Sequence, residues 1–216
     1  MTLRHRIRLI AVASALAASG FAIAPVALAD VSASSPVIRN DALAPVAANA
    51  LTNLESFLTT GDAGARTAYD AARHAIAVVV ANRLTVDAGD LEAAWRSADP
   101  PHQRALMAAF SQLGVPYRRL ASNPGIGFDC SGLTGYAWSK AGVTIAHQSE
   151  SQIRAIAPRT ADTAEAGDIV HYPGHVMIYL GLPGTIVHAP YSGRTVEVDV
   201  LSKSNRRSIR YGDPTG

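Results

Sequence analysis

The period of the hydrophobic pattern changes once along this chain, and that change restricts the fold to a few classes. From residue 41 to about residue 98, apolar residues recur at alternating steps of three and four, the spacing of one face of an α-helix. After residue 168 they form short runs rich in β-branched and aromatic side chains, separated by Gly and Pro, as in strands joined by hairpins. Helices followed by strands predict an α+β fold with an antiparallel sheet of about five strands.

Three amphipathic helices are expected before residue 99. The first two stripes are Leu43, Ala47, Ala50, Leu54 and Phe57, then Ala65, Tyr69, Ala72, Ile76 and Val79. Gly61 and Gly64 separate these two stripes, and a third helix from 87 to 98 places Leu91 and Trp95 on one side. We expect the first two helices to pack as an antiparallel pair or onto the remainder of the chain.

The second part of the chain begins with Asp99-Pro100, a favourable helix start, and Gly114 ends that helix. Another helix is predicted from Ser131 to about Ala141, where Gly142 stops it. The predicted strands are 168–172, 176–180, 185–188, 195–200 and 208–211.

The first 29 residues have the pattern of a secretory signal peptide. Basic residues precede an apolar run over 9–24, and Ala27-Leu28-Ala29 predicts cleavage before Asp30. An uncleaved membrane anchor is the alternative, which Gly20 and Pro25 disfavour. We therefore expect a signal peptide (1–29), a helical extension with a flexible lead-in (30–98) and a second domain (99–216). The expected product is secreted, without stable membrane insertion. A formal net charge of +2 does not indicate a nucleic-acid partner.

Cys130 is the one cysteine of the chain, so it cannot form an intramolecular disulfide. In an exported protein, such a thiol is either a small buried hydrophobic group or a reactive one. Its position before the helix predicted from Ser131 favours reactivity, because the free N–H groups and dipole of a helix N-terminus stabilise a thiolate.

A nucleophilic thiol needs a base, and the base needs an orienting group. His175 opens one predicted strand and His188 ends the next, with a turn from Gly181 to Gly184 between them. Adjacent antiparallel strands bring such imidazoles together, so Cys130, His175 and His188 are the candidate catalytic residues.

Four blocks of sequence resemble the NlpC/P60 peptidases. They are Phe128-Asp129-Cys130-Ser131-Gly132-Leu133, Ala166-Gly167-Asp168-Ile169-Val170, Gly174-His175-Val176-Met177-Ile178-Tyr179-Leu180-Gly181 and Val187-His188-Ala189-Pro190. The resemblance covers about residues 100–212. It implies a reduced papain-like core in which Cys130 is the nucleophile, His175 the general base and His188 the orienting residue.

The same resemblance implies roles for groups around the thiol. Tyr117 would line the site and assist the oxyanion, while Asp129 and Ser131 would contact the amino end of the substrate. The backbone N–H of Cys130 is the other expected oxyanion donor.

Two segments depart from the NlpC/P60 pattern. Arg118-Arg119-Leu120 stands where many members have Gly-Gly or Trp-Gly-Gly, and Ile145-Ala146-His147 stands where many have Leu-Pro-Arg. Both would border the substrate groove, so they affect the expected substrate preference. The two arginines would either pair with substrate carboxylates or be solvated loop charges.

Neither a metal nor a cofactor is expected. His171 lies four residues before His175, but Pro173-Gly174 excludes a helix there and no H-E-x-x-H motif is present. We expect His171 to be a strand residue or a substitute for His188 as orienter, and His74 to be structural. The absence of G-x-S-x-G leaves a serine hydrolase without support.

The resemblance implies a secreted thiol protease that hydrolyses peptidoglycan stem peptides, at the bond between γ-D-glutamate and diaminopimelate or lysine. A non-catalytic peptidoglycan-binding or activator protein is one alternative, and an amidase or acyltransferase on the same core is another. Residues 41–98 would cover the groove, bind a protein partner or only stabilise the fold.

Overall fold

The computed structural model describes residues 41–216 except residue 207. The predicted signal peptide and the lead-in that precedes residue 41 lie outside the described residues.

Three helices form the first part of the described chain: α1 (Leu43–Thr60), α2 (Ala63–Leu84) and α3 (Ala88–Ser97). Gly61 ends α1 in the left-handed conformation, with φ of 73°. Asp62 caps α2 by accepting the N–H of Gly64, and Asp87 caps α3 in the same way through Asp90. Leu91 and Trp95 are both buried, so the prediction of a third helix with these two residues inside is confirmed.

The prediction of which residues form the buried face of α2 was wrong at the C-terminal end of the helix. Val79 is exposed, whereas Ala77 and Val80 are buried. Arg73 also lies on the buried face, where its guanidinium is 2.6 Å from Asp70 and 3.6 Å from Glu92. Ion pairing allows a charged side chain at a buried position, and a search for apolar residues alone omits it.

Four further helices follow: α4 (Pro100–Phe110), α5 (Cys130–Lys140), α6 (Ser149–Ala155) and α7 (Lys203–Arg206). Pro100 is the first residue of α4, as predicted, but the Asp99 side chain makes no capping hydrogen bond. The predicted helix after Cys130 is confirmed, whereas α6 and α7 were not predicted.

Two short strands, β1 (Ser122–Asn123) and β2 (Gly127–Phe128), pair ahead of α5. The main sheet contains β3 (Ala157–Arg159), β4 (Ile169–Tyr172), β5 (His175–Tyr179), β6 (Thr185–His188), β7 (Glu197–Val200) and β8 (Arg210–Asp213). Its order is β3-β8-β4-β5-β6-β7, and every pairing is antiparallel. All five predicted strands are present, and β3 adds a sixth.

One hydrophobic core joins the helices to the sheet. It includes Leu54 and Tyr69 from the first helices, Trp95 from α3, Phe110 from α4 and Ile178 from β5. Helices α1–α3 therefore share a core with the elements that carry the candidate catalytic residues. Among the described helices, none is both long and apolar enough to cross a membrane.

Candidate active site

Cys130 is the first residue of α5, and Asp129 precedes it as the helix cap. Asp129 has an extended backbone, and its Oδ1 accepts the N–H of Gly132 at 2.7 Å. The Cys130 side chain is half-buried. The structure thus confirms that the thiol lies at a helix N-terminus.

The environment of the Cys130 thiol opposes ionisation in the resting protein. Burial raises the pKa of the thiol, and the nearby Asp129 carboxylate raises it further. The backbone N–H groups of Val176, Ser131 and Cys130 itself lower this pKa, but burial outweighs them. The helix N-terminus therefore supplies the expected donors without producing a preformed thiolate.

His175 and His188 meet on neighbouring strands β5 and β6. The Nε2 atom of His175 lies 2.9 Å from Nδ1 of His188, and both side chains are buried. The Val176 N–H that faces the Cys130 thiol belongs to the residue after His175. The structure thus brings the three predicted catalytic residues to one site, with Nδ1 of His175 not used in the contact with His188.

Burial, with smaller contributions from the nearby imidazoles of His188 and His171, lowers the pKa of His175 to about 3. The imidazole of His175 is therefore neutral at neutral pH, and so is the Cys130 thiol beside it. With both groups neutral, the thiol proton must move to a base as the sulfur attacks rather than before it.

Two tyrosines lie close enough to Cys130 for a thiolate there to raise their pKa values. They are Tyr117, which was predicted, and Tyr172, which was not; burial is the larger cause in both. The Tyr172 ring centroid is 5.3 Å from that of His175. Tyr172 ends the strand before the Pro173-Gly174 turn, and that proximity to His175 in sequence was the available signal.

Asp129 and Ser131 flank Cys130 in sequence, but the Asp129 oxygens are already engaged. Oδ1 accepts from the Ser131 hydroxyl at 3.1 Å and lies 3.0 Å from His147 Nε2, while Oδ2 accepts the Leu120 N–H at 2.8 Å. A substrate amine would have to share or displace these partners. His147, from the segment that departs from the family pattern, is thus in direct contact with the residue that caps α5.

Two cavities lie in the region of the candidate site. One, of about 230 Å³, is lined partly by Ser131 and His147. The other, of about 290 Å³, is lined partly by Tyr172, His175 and His188. None of the described residues before residue 122 lines either cavity.

The NlpC/P60 sequence profile matches residues 114–209 of this chain. These residues form an NlpC/P60 domain. Cys130, His175 and His188 all lie within the matched segment.

Curated proteins similar to part of this chain include three whose names describe an endopeptidase. A probable endopeptidase of Corynebacterium glutamicum is 39% identical over 116 residues, which are 52% of this chain and 54% of that protein. The peptidoglycan endopeptidase RipA of Mycolicibacterium smegmatis is 36% identical over 110 residues, 44% of this chain and 22% of RipA. The bifunctional muramidase/DL-endopeptidase CwlT of Bacillus subtilis is 35% identical over 120 residues, 52% of this chain and 32% of CwlT. The matches thus span at most about half the length of these relatives.

Three polar residues beside the histidine pair of the NlpC/P60 domain were not predicted from the sequence. Glu197 Oε1 lies 3.7 Å from His188 Nε2, and Asp199 Oδ2 lies 4.0 Å from the same atom. The guanidinium of Arg194 pairs with Glu197. Strand register places Glu197 directly opposite His188, and that pairing cannot be identified from sequence without the fold.

The remaining histidines of the NlpC/P60 domain have other partners. His171 lies on β4, where its ring is 2.8 Å from Glu150 and 3.1 Å from Arg210, so it does not replace His188 beside His175. Burial lowers the pKa of His171. The structural role expected of His74, outside the domain, agrees with its contact of 2.5 Å to Glu92.

Three groups of possible metal-ligand side chains occur in the described chain. They are Asp99, His102 and Glu165; His102, Asp168 and Asp213; and His188, Glu197 and Asp199. The second group is accounted for by hydrogen bonding, because His102 Nε2 is 3.1 Å from Asp168 and 3.4 Å from Asp213. In the third, the pairing of Arg194 with Glu197 competes with a cation.

Proposed function

We propose that this protein is a peptidoglycan endopeptidase that cleaves stem peptides with Cys130 as its nucleophile. The observation that carries the proposal is the site itself. A thiol at the N-terminus of α5 faces the strand that begins with His175, and His175 is 2.9 Å from His188. The names of RipA and CwlT support peptidoglycan as the substrate.

The first chemical step forms a bond between Cys130 Sγ and the carbonyl carbon of the scissile amide. As this bond forms, the thiol proton passes to Nδ1 of His175. The amide oxygen becomes an oxyanion, for which the backbone N–H of Cys130 and the hydroxyl of Tyr117 are the proposed donors. His188 holds the His175 ring through the contact at Nε2.

The intermediate then expels the leaving amine, which takes the proton from His175 as the C–N bond breaks. A thioester on Cys130 remains. Water attacks this thioester with His175 as base, and the returned proton regenerates the thiol and a free carboxylate. The leaving amine must lie near His175, so the cavity beside His175 and His188 is its proposed location.

The resemblance to NlpC/P60 peptidases points to the bond between γ-D-glutamate and diaminopimelate or lysine. The DL-endopeptidase in the name of CwlT agrees with such a bond. The amino end of the stem peptide would then occupy the cavity at Ser131 and His147. Because peptidoglycan lies outside the cell membrane, this function requires export, for which residues 1–29 are the proposed signal.

The test is digestion of purified peptidoglycan by the protein from residue 30 onward, with the fragments identified by mass spectrometry. We expect new amino termini at diaminopimelate or lysine, and none with Cys130→Ala. Lys140→Ala, at the far end of the same helix, is the matched control and should retain activity. Equal release by Cys130→Ala would refute the nucleophile, and binding without release by the wild type would favour a non-catalytic protein.

A further inference from the structure

The histidine pair leaves one buried nitrogen without a hydrogen-bond partner among the described residues. The Nε2 atom of His188 is buried, and among the described residues none is within hydrogen-bonding distance of it. Its Nδ1 atom is used by His175. A buried N–H without a partner costs about 1–3 kcal/mol, so the protonation state of this nitrogen depends on the acceptors nearest to it.

The proposed chemistry fixes where the protons of the pair must be. His175 can accept the Cys130 proton at Nδ1 only if its own proton is on Nε2, from which it is donated to Nδ1 of His188. His188 must then carry its proton on Nε2. The opposite arrangement would place a proton on Nδ1 of His175 and remove the base.

Two carboxylates face this nitrogen from strand β7. Glu197 is paired in register with His188, and its Oε1 lies 3.7 Å from Nε2. Asp199 is farther away at 4.0 Å, and its side chain is 56% exposed, so water screens its charge. Glu197 is therefore the stronger candidate to select the proton position.

The structure also keeps Glu197 ionised and oriented. Burial raises its pKa, but the Arg194 guanidinium paired with it and the His188 ring 3.7 Å away together outweigh burial, so the net pKa is lowered. Nε of Arg194 donates to Oε2 of Glu197 at 3.2 Å. A side-chain rotation that moves Oε1 by roughly 1 Å would complete a hydrogen bond to His188.

We propose that Glu197 is a positioning residue that fixes the tautomers of His188 and His175, leaving Nδ1 of His175 free to accept the Cys130 proton. Arg194 orients Glu197 for this role. The active site thus extends from three residues to a row of four, namely Cys130, His175, His188 and Glu197. This inference rests on the proposed function for its catalytic consequence, but the tautomers themselves can be measured without substrate.

The experiment compares the wild type with Glu197→Val, which suits an edge strand but removes the acceptor, and with Glu197→Gln, whose amide oxygen still accepts. Glu197→Ala replaces the Val variant if the latter does not fold. Asp162→Asn, an exposed carboxylate outside the site, is the matched control. NMR spectra of ¹⁵N-labelled histidine give the tautomers, with His175→Gln and His188→Gln used to assign the signals.

We expect the wild type, Glu197→Gln and Asp162→Asn to carry the His188 proton on Nε2. In Glu197→Val the signals should shift toward the opposite tautomer. For stem-peptide hydrolysis, kcat should fall about tenfold or more in Glu197→Val and less in Glu197→Gln, with KM unchanged.

Unchanged tautomers and kcat in Glu197→Val would overturn the inference, as would a change confined to KM. If the wild type shows the expected tautomers and Glu197→Val shifts them, but the wild type cleaves no stem peptide, the proposed function fails while the positioning role stands.

Discussion

The indole N–H of Trp95 donates to the backbone carbonyl of Leu180 at 2.8 Å, across 85 residues of sequence. This buried bond joins α3 to the chain immediately after β5, the strand that carries His175. The Trp95 ring also packs against Phe110 of α4, with 5.1 Å between centroids. Helices α1–α3 therefore support the same core as the candidate active site.

We predict that loss of Trp95 destabilises the whole protein. Trp95→Ala should lower the free energy of unfolding by about 3–5 kcal/mol, because a fully buried aromatic leaves a cavity. Thermal denaturation followed by circular dichroism should show a Tm lower by roughly 10 °C. Val78→Ala, on the exposed face of α2, is the control and should change Tm little. Equal Tm values for the two variants would contradict the shared core.

The shared core also predicts the effect of deleting residues 41–98. Removal of these helices exposes Leu106 and Phe110, which are fully buried in the intact protein. We expect the shortened protein to aggregate or to lack a cooperative unfolding transition. A shortened protein that folds and is more active would instead indicate that these helices cover the groove.

The buried imidazole of His102 predicts a pH-dependent stability. Burial lowers the pKa of His102, but the carboxylates of Asp168 and Asp213 outweigh burial and raise it. The protonated form therefore stabilises the fold fully below the unfolded pKa of about 6.5, and this contribution is lost as pH rises through the folded pKa. His175, with its pKa lowered to about 3, changes stability only below about pH 6.5, a different range.

Measurements of Tm from pH 6.5 to 9 should show a decrease in the wild type that is absent in His102→Gln. The slope is at most about 1.4 kcal/mol per pH unit for one proton. His102→Gln should also be less stable throughout, because Asp168 would lose its cationic partner in a buried site and Asp213 would keep only Arg159. Asp162→Asn, at an exposed position, is the control. Parallel pH curves for His102→Gln and the wild type would disprove the linkage.

The parts of the site that sequence could predict are those set by local patterns. The start of α5 at Cys130 follows from a capping residue and an apolar period, and the meeting of His175 with His188 follows from two strands joined by a short turn. The position of Glu197 depends on the register between β6 and β7, which only the folded sheet determines. Strand β3 was missed because it has three residues, one of them Pro158.

We predict that a side chain added at Gly132, beside the thiol, disturbs the active site. A Cβ there would lie 2.0 Å from the backbone carbonyl oxygen of Ala121 and 3.1 Å from Nε2 of His147. The Ala121 carbonyl accepts the N–H of Asp129, so its displacement would move the residue that caps α5. We expect Gly132→Ala to reduce stem-peptide hydrolysis by about 100-fold, as a misplacement of about 1 Å does.

The matched variant is Gly135→Ala in the same helix, where the nearest atom to the new Cβ is 3.9 Å away. It should fold at least as stably as the wild type, because Ala favours a helix over Gly by about 0.5–1 kcal/mol. Rates and Tm values are measured for both variants. Full activity in Gly132→Ala would contradict the prediction, because it would show that the loop at Ala121 can move away without disturbing the site.

The neutral state of Cys130 and His175 predicts how the thiol reacts with a small electrophile. Because burial raises the thiol pKa above its usual value near 9, the thiolate fraction is small at pH 7 and grows about tenfold with each pH unit below that pKa. Alkylation by iodoacetamide should therefore be slow at pH 6 and accelerate continuously to pH 9. Cys130 is the one cysteine of the chain, so mass spectrometry of the intact protein follows it directly. A fast rate that stays constant from pH 5 to 8 would instead reveal a preformed thiolate–imidazolium pair, and the proton would then leave the thiol before substrate binds.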